Sequence, residues 1–160
     1  MTRNNRLIQD DIHDPYYSKE RYPDPSVCEK CGVLFRNRVF SWSSERSPAP
    51  TARMVCPACR RIGDGFEGGF VVLEGSFLAD HKSHILSTIE NTAKAEKQKR
   101  PLERIISVND QGSRVELRTT YEHIARRIGD AIRKAFKGDL TVQYPTGEKY
   151  ARVSWKRNSD

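Results

Sequence analysis

The sequence predicts an α+β fold in which a small cysteine-bearing module precedes a helix and a ββαββ unit on an antiparallel sheet. Three observations carry this. All four cysteines fall in two C-x-x-C pairs, Cys28/Cys31 and Cys56/Cys59, with residues 32–55 between them. Apolar residues then recur at helical spacing over 77–100. Finally, 102–156 reads strand, strand, helix, strand, strand. The boundaries that follow are an extended arm at 1–26, the cysteine module at 27–75, a linking helix at 76–101 and the α+β unit at 102–157.

Two C-x-x-C pairs suit a tetrahedral ion, because four thiolates close a structural zinc site while each short turn aims backbone N–H groups at sulfur. Cys28, Cys31, Cys56 and Cys59 are therefore the expected zinc ligands. Gly32 suits the end of the first turn, and Pro57 stiffens the second where a missing N–H is tolerable. Two disulfides or four reduced thiols are the alternatives. No apolar signal sequence opens the chain, so an oxidising compartment has no support and a cytoplasmic location is expected.

The 160 residues are 36% hydrophobic and 31% charged, a balance that points to a solvated arm or linker beside a real core. No run approaches the roughly 20 apolar residues of a membrane span. Net charge is +7. Residues 1–60 hold 10 basic and 7 acidic groups, 61–100 hold 6 and 6, and 101–160 hold 12 and 8. The charge thus lies at both ends, which favours a polyanionic partner.

In the arm, Arg3, Arg6, Lys19 and Arg21 alternate with Tyr16, Tyr17 and Tyr22, without helix or strand period. Residues 33–42 predict a hairpin about Arg36-Asn37-Arg38, and 43–53 a Ser/Pro-rich loop. Gly63, Gly65, Gly68 and Gly69 predict a turn before a strand at 70–73, which completes a zinc ribbon too small to fold without its metal. Leu78, Ile85, Ile89 and Ala93 mark the next helix, which Pro101 ends. Strands at 104–108 and 114–118 flank a turn at 109–113. A helix follows at 120–137, with Thr119 and Glu122 as a capping box and Gly138 closing it. Strands at 139–144 and 149–156 pair across Pro145-Thr146-Gly147.

On the helix at 120–137, Tyr121, Ile124, Ala125, Ile128, Ile132, Ala135 and Phe136 share one arc, and Arg126, Arg127, Arg133, Lys134 and Lys137 take the other with Asp130 and His123. The basic stripe is either a solvated face or a phosphate-binding one. Strand 149–156 turns Tyr150, Arg152, Ser154 and Lys156 to one side, and strand 114–118 turns Arg114, Glu116 and Arg118. Guanidinium groups beside aromatics suit phosphate contact and base stacking. Arg36, Arg38, Arg60 and Arg61 crowd the cysteine module, with Phe35, Phe40 and Trp42 nearby. The expected RNA contacts are therefore Arg36, Arg38, Arg60, Arg61, Arg114, Arg118, Arg126, Arg127, Arg133, Lys134, Arg152 and Lys156.

Enzymatic signatures are thin, and no catalysis is expected. There is no Walker-type loop, no dinucleotide fingerprint and no nucleophile with a recognisable base. His81 and His84, or Asp64 and Glu67, are the residues a metal-dependent hydrolase would need. A protein adaptor with an acidic partner is a further alternative.

The segments C-x-x-C-G, CPACRRIGDG and TTYEHIARRIGDAIRKAFKG resemble the ribosomal large-subunit export adaptor (nonsense-mediated-decay-three) family, and more closely short bacterial zinc-ribbon proteins similar to it. The likeness covers about residues 28–156. The full-length adaptor has further C-x-x-C pairs and domains that this chain lacks. The resemblance implies metal binding at the four cysteines and association with the ribosome or ribosomal RNA, as an assembly, silencing or hibernation factor.

Overall fold

The computed structural model describes residues 22–42, 52–145 and 149–159. The arm before residue 22, most of the Ser/Pro-rich loop and the turn at 146–148 lie outside the described residues. The architecture is α+β, with two mixed sheets and four helices among the described residues.

The first sheet has order β3-β2-β1-β4. It comprises β1 (Ser26–Cys28), β2 (Leu34–Arg36), β3 (Val39–Ser41) and β4 (Ala52–Met54). β2 and β3 form the expected hairpin, and β4 adds parallel to β1. The hairpin turns through Asn37 and Arg38, at φ 53° and 62°. Two left-handed residues match the twist of a two-residue hairpin, but a non-glycine residue adopts that conformation at a cost. Asp24 offsets it: its carboxylate accepts the Asn37 and Arg38 N–H groups, each at 3.0 Å. Tyr22, Val33, Phe35, Phe40, Met54 and Ala58 make up the module's apolar core with Cys28 and Cys56. Such a core is small for independent folding.

Helix α1 (Pro57–Asp64) follows, where the glycines of the sequence suggest only a turn. Pro57 occupies its first turn, where a missing N–H is harmless. Gly65, left-handed at φ 65°, ends it as glycine commonly does. Gly63 is therefore inside a helix and Gly65 is its stop signal.

β5 (Gly69–Glu74) departs from expectation. It is not the last strand of the cysteine module but the centre of the second sheet, whose order is β6-β7-β5-β9-β8. The others are β6 (Ile105–Asp110), β7 (Arg114–Thr119), β8 (Asp139–Gln143) and β9 (Ala151–Lys156). β5 runs antiparallel to β7 and parallel to β9. The expected antiparallel ββαββ sheet is thus a mixed sheet of five strands. A continuous apolar run such as FVVL suits a central strand, where Val71, Val72 and Leu73 are all buried.

Helices α2 (Ser76–Asp80), α3 (Lys82–Lys99) and α4 (Glu122–Phe136) complete the fold. The expected single helix at 77–100 breaks at His81 into α2 and α3, and it is no linker. Leu78, Ile85 and Ile89 pack with Ile124, Ile128 and Ile132 of α4 over Val71, Leu73, Val115, Leu117, Val153 and Trp155. The buried faces of these helices are those that the apolar spacing marks. The cap of α4 differs: Thr119 lies in β7 and its hydroxyl donates to Tyr121 O at 2.8 Å. A carboxylate from outside the helix, that of Glu103, accepts the Ile124 N–H instead.

Close packing of α4 on β9 depends on Gly129, where an added Cβ would stand 2.6 Å from Val153 Cγ1. A Gly→Ala change gains about 1 kcal/mol of helix propensity, whereas overpacking costs about 1–3 kcal/mol. The clash lies against a β-branched side chain fixed in a sheet, so overpacking dominates. Gly129→Ala should lower the urea midpoint of unfolding, and an unchanged or raised midpoint would show that the helix shifts freely.

Candidate metal centre

Cys28 ends β1, Cys31 and Gly32 close the turn after it, Cys56 caps α1 and Cys59 lies in its first turn. The Gly32 N–H bonds Cys28 O at 2.9 Å and the Cys28 N–H bonds Val33 O at 2.9 Å, folding the first turn onto itself. The four sulfurs lie within 4.8 Å of one another. Cys28–Cys59 and Cys31–Cys56 are both 3.8 Å apart. A tetrahedral zinc–thiolate site with bonds of about 2.3 Å has sulfur–sulfur edges of about 3.8 Å. These separations also exclude disulfide bonds, and all four cysteines are free. The sulfurs accept N–H groups from the backbone, Cys56 N to Cys28 Sγ and Cys59 N to Cys56 Sγ, each at 3.4 Å. The donor set can hold a metal ion and is consistent with zinc.

Thiols this close cannot all ionise unaided. The hydrogen bond from Cys56 holds Cys31 down to about 4, with help from the Val33 amide and Arg104. The same bond and burial push Cys56 up. Burial raises Cys59 as well. A divalent cation removes this conflict by replacing the shared protons.

The sequence offers no sign of Arg104, which enters from the start of β6. It is 8% exposed, and its guanidinium donates to Cys31 Sγ at 3.0 Å and Cys59 Sγ at 3.2 Å. Its Nε is held by Pro101 O at 2.9 Å. Trp42 lies beside it, 5.6 Å from ring centroid to guanidinium carbon, and Trp42 Nε1 bonds Lys97 O at 2.7 Å. The cysteine module and the five-stranded sheet therefore meet through polar contacts on the cysteine sulfurs themselves.

The predicted cations divide into two groups. Arg61 is 3% exposed: its guanidinium donates to Thr120 O at 3.0 Å and stacks on Tyr121 and Phe66. It belongs to the interior and not to a phosphate-binding surface. Arg60 Nε bonds Val55 O at 3.0 Å. Arg114 pairs with Glu74 and Glu116, Arg118 with Glu67, and Arg127 with the buried Glu96. Arg126 reaches Tyr144 Oη at 3.2 Å and lies 3.9 Å from Asp130. These partners absorb much of the expected stripe. Arg36, Arg38, Arg133, Lys134, Arg152 and Lys156 stay exposed without an ion pair among the described residues. Arg133, Lys134 and Lys137 border a shallow pocket with Asp130 and Gly138.

The residues considered for hydrolysis are dispersed. His81 stacks on Phe77, its Nδ1 3.1 Å from Phe77 O, while His84 is exposed on α3. Glu67 is held by Arg118 and by the Tyr150 hydroxyl. Among the described residues, the cysteines are the one cluster of metal-binding groups, and no helix is long and apolar enough to cross a membrane.

Burial, reinforced by repulsion from Glu122 and Glu96, pushes Glu103 up to about 8 against its ordinary 4.5. Folded protein therefore keeps a proton that unfolded protein sheds between these values, so this group's contribution to stability falls as pH rises from about 4.5 to 8. At about 1.4 kcal/mol per unit the contribution is at most about 4–5 kcal/mol. Glu103→Gln keeps an acceptor for the Ile124 N–H and should gain stability relative to the parent across that window. Parallel stability profiles from pH 5 to 8 would refute the assignment.

Comparison with protein-family models, curated proteins and solved structures finds no match to this chain. The class of protein rests on the site itself: an α+β chain with a four-cysteine centre that can hold a metal ion.

Proposed function

We propose that the chain is a cytoplasmic, non-enzymatic zinc-ribbon protein that binds structured RNA, ribosomal RNA foremost, with the zinc as scaffold. The observation that carries this reading is the set of exposed cations without an ion pair among the described residues: Arg36 and Arg38 at the hairpin tip, Arg133 and Lys134 on α4, and Arg152 and Lys156 on β9. Guanidinium groups in carboxylate pairs are poor phosphate ligands until released, and a buried one cannot reach a phosphate, so these six outrank Arg114, Arg118 and Arg127 on the first count and Arg61 on the second. The net charge of +7 and the resemblance to the ribosomal export adaptor family support the same reading.

Binding of purified protein to ribosomes should weaken steeply with salt. The double substitution Arg133→Glu/Lys134→Glu should reduce affinity and lower the log–log salt slope by about 1 for each phosphate no longer neutralised. Salt-independent binding, or none, would defeat the proposal. The mixed-charge sheet face, where Arg114 joins Glu74 and Glu116, favours a second reading as a protein adaptor. Partner capture that survives RNase would support it.

A further inference from the structure

We propose that Arg104 is a built-in counter-ion of the cysteine centre, through which metal occupancy fastens the edge of the five-stranded sheet to the cysteine module. The inference rests on the zinc reading and adds a residue to it. Four thiolates around a divalent cation leave a net charge of −2 in a partly buried site, and uncompensated buried charge is costly. Among the described residues, Arg104 is the one cationic side chain that hydrogen-bonds these sulfurs, touching three of the four: Cys31 at 3.0 Å, Cys59 at 3.2 Å and Cys56 at 3.8 Å. The planar fork lets two nitrogens address two sulfurs at once, which the point charge of lysine cannot reproduce.

The guanidinium is oriented by protein groups apart from the sulfurs. Pro101 O holds Nε, and the backbone is clasped on both sides by Thr120: Arg104 N bonds Thr120 Oγ1 and Thr120 N bonds Arg104 O, each at 2.9 Å. Thr120 Oγ1 also donates to Leu102 O at 2.7 Å. A preorganised donor supported by its own partners is the usual arrangement around metal ligands, and losing such a group commonly costs about 10–100-fold in metal affinity. The same geometry works in reverse. When the centre loses its metal, the sulfurs that the guanidinium spans are no longer held to one ion, and the clasp at Thr120 is left to hold the start of β6. That start is already irregular, with a register shift between Ile105 and Ser107.

The test uses the full chain. Zinc uptake by the parent is read first, and its absence would overturn the metal reading and this inference together. Arg104→Gln should then lose about 10–100-fold in zinc affinity by chelator competition, with Arg104→Lys in between. N–H···S bonds lower the energy of thiolate lone pairs, so the thiolate-to-cobalt band of cobalt-loaded Arg104→Gln should move to longer wavelength. Hydrogen exchange of the unsubstituted chain decides the matter should the variants fail to fold. Stripping zinc should accelerate exchange at the Arg104 and Thr120 amides by at least about tenfold, while Val71 and Val153 stay protected. Zinc affinity and cobalt spectrum unchanged in Arg104→Gln, or equal protection at Arg104 and Thr120 with and without zinc, would overturn the proposal.

Discussion

Cys28→Ser, or stripping the metal with a strong chelator, should abolish the folded cysteine module while much of the five-stranded sheet survives. Structural zinc supplies about 10–16 kcal/mol of apparent folding free energy in small zinc modules. Among the described residues, the apolar core here is Tyr22, Val33, Phe35, Phe40, Met54 and Ala58 beside the cysteines, with Trp42 and Leu102 partly buried against it, too little to order three-residue strands unaided. The second core, from Val71 to Trp155, contains none of the cysteines. From the sequence, the dividing line falls at residue 75, but β5 belongs to the surviving sheet, so the line moves to about residue 65. Trp42 lies in the module and Trp155 in the second core. Two single-tryptophan variants, Trp42→Phe and Trp155→Phe, can therefore report each part by fluorescence. Chelation should change the Trp42 signal and leave most of the Trp155 signal. One simultaneous, complete loss of both would establish a single cooperative unit.

Arg61→Ala should destabilise the protein by about 3 kcal/mol, a charged hydrogen bond contributing about 1.5–3 kcal/mol and the cation–π contacts about 1 kcal/mol. For a chain of this length that is a fall of roughly 6–12 °C in Tm. The magnitude follows from burial: Arg61 is nearly inaccessible, and without it the Thr120 carbonyl loses a donor between α1 and β7. Arg36→Ala and Arg38→Ala should leave Tm within about a degree or two, because both side chains are exposed. Under the RNA-binding proposal the ranking reverses for affinity, with Arg36 and Arg38 mattering and a refolded Arg61 variant binding normally. Equal effects of all three on Tm would contradict the buried role.

The elements legible in the sequence are those with a local cause. The four cysteines stand out because two C-x-x-C turns are complete chemical units within a few residues. The α2–α3 and α4 apolar faces follow from helical spacing, and β9 from its alternation of Ala151, Val153 and Trp155 with Arg152, Ser154 and Lys156. Helix α1 escapes such a reading because Gly63 and Gly65 resemble a turn when taken alone. Gly65 is better read as the left-handed stop of a helix opened by Pro57. The run FVVL does carry a signal for β5, since a ribbon strand with one wet face would alternate.

The sequence by itself determined the cysteine centre, the hairpin, the amphipathic helices and the sign of the net charge, because each is written in neighbouring residues. Tertiary structure alone decided which sheet received β5, which pairings ran parallel, and where each arginine went. An isolated guanidinium reads as surface charge at any position. Arg104 reaches Cys59 across 45 residues and Arg61 reaches Thr120 across 59, and no spacing rule links residues so far apart. Their partners were chosen by packing, which brought half-buried cysteine sulfurs and a backbone carbonyl against the two arginines close enough to donate to them.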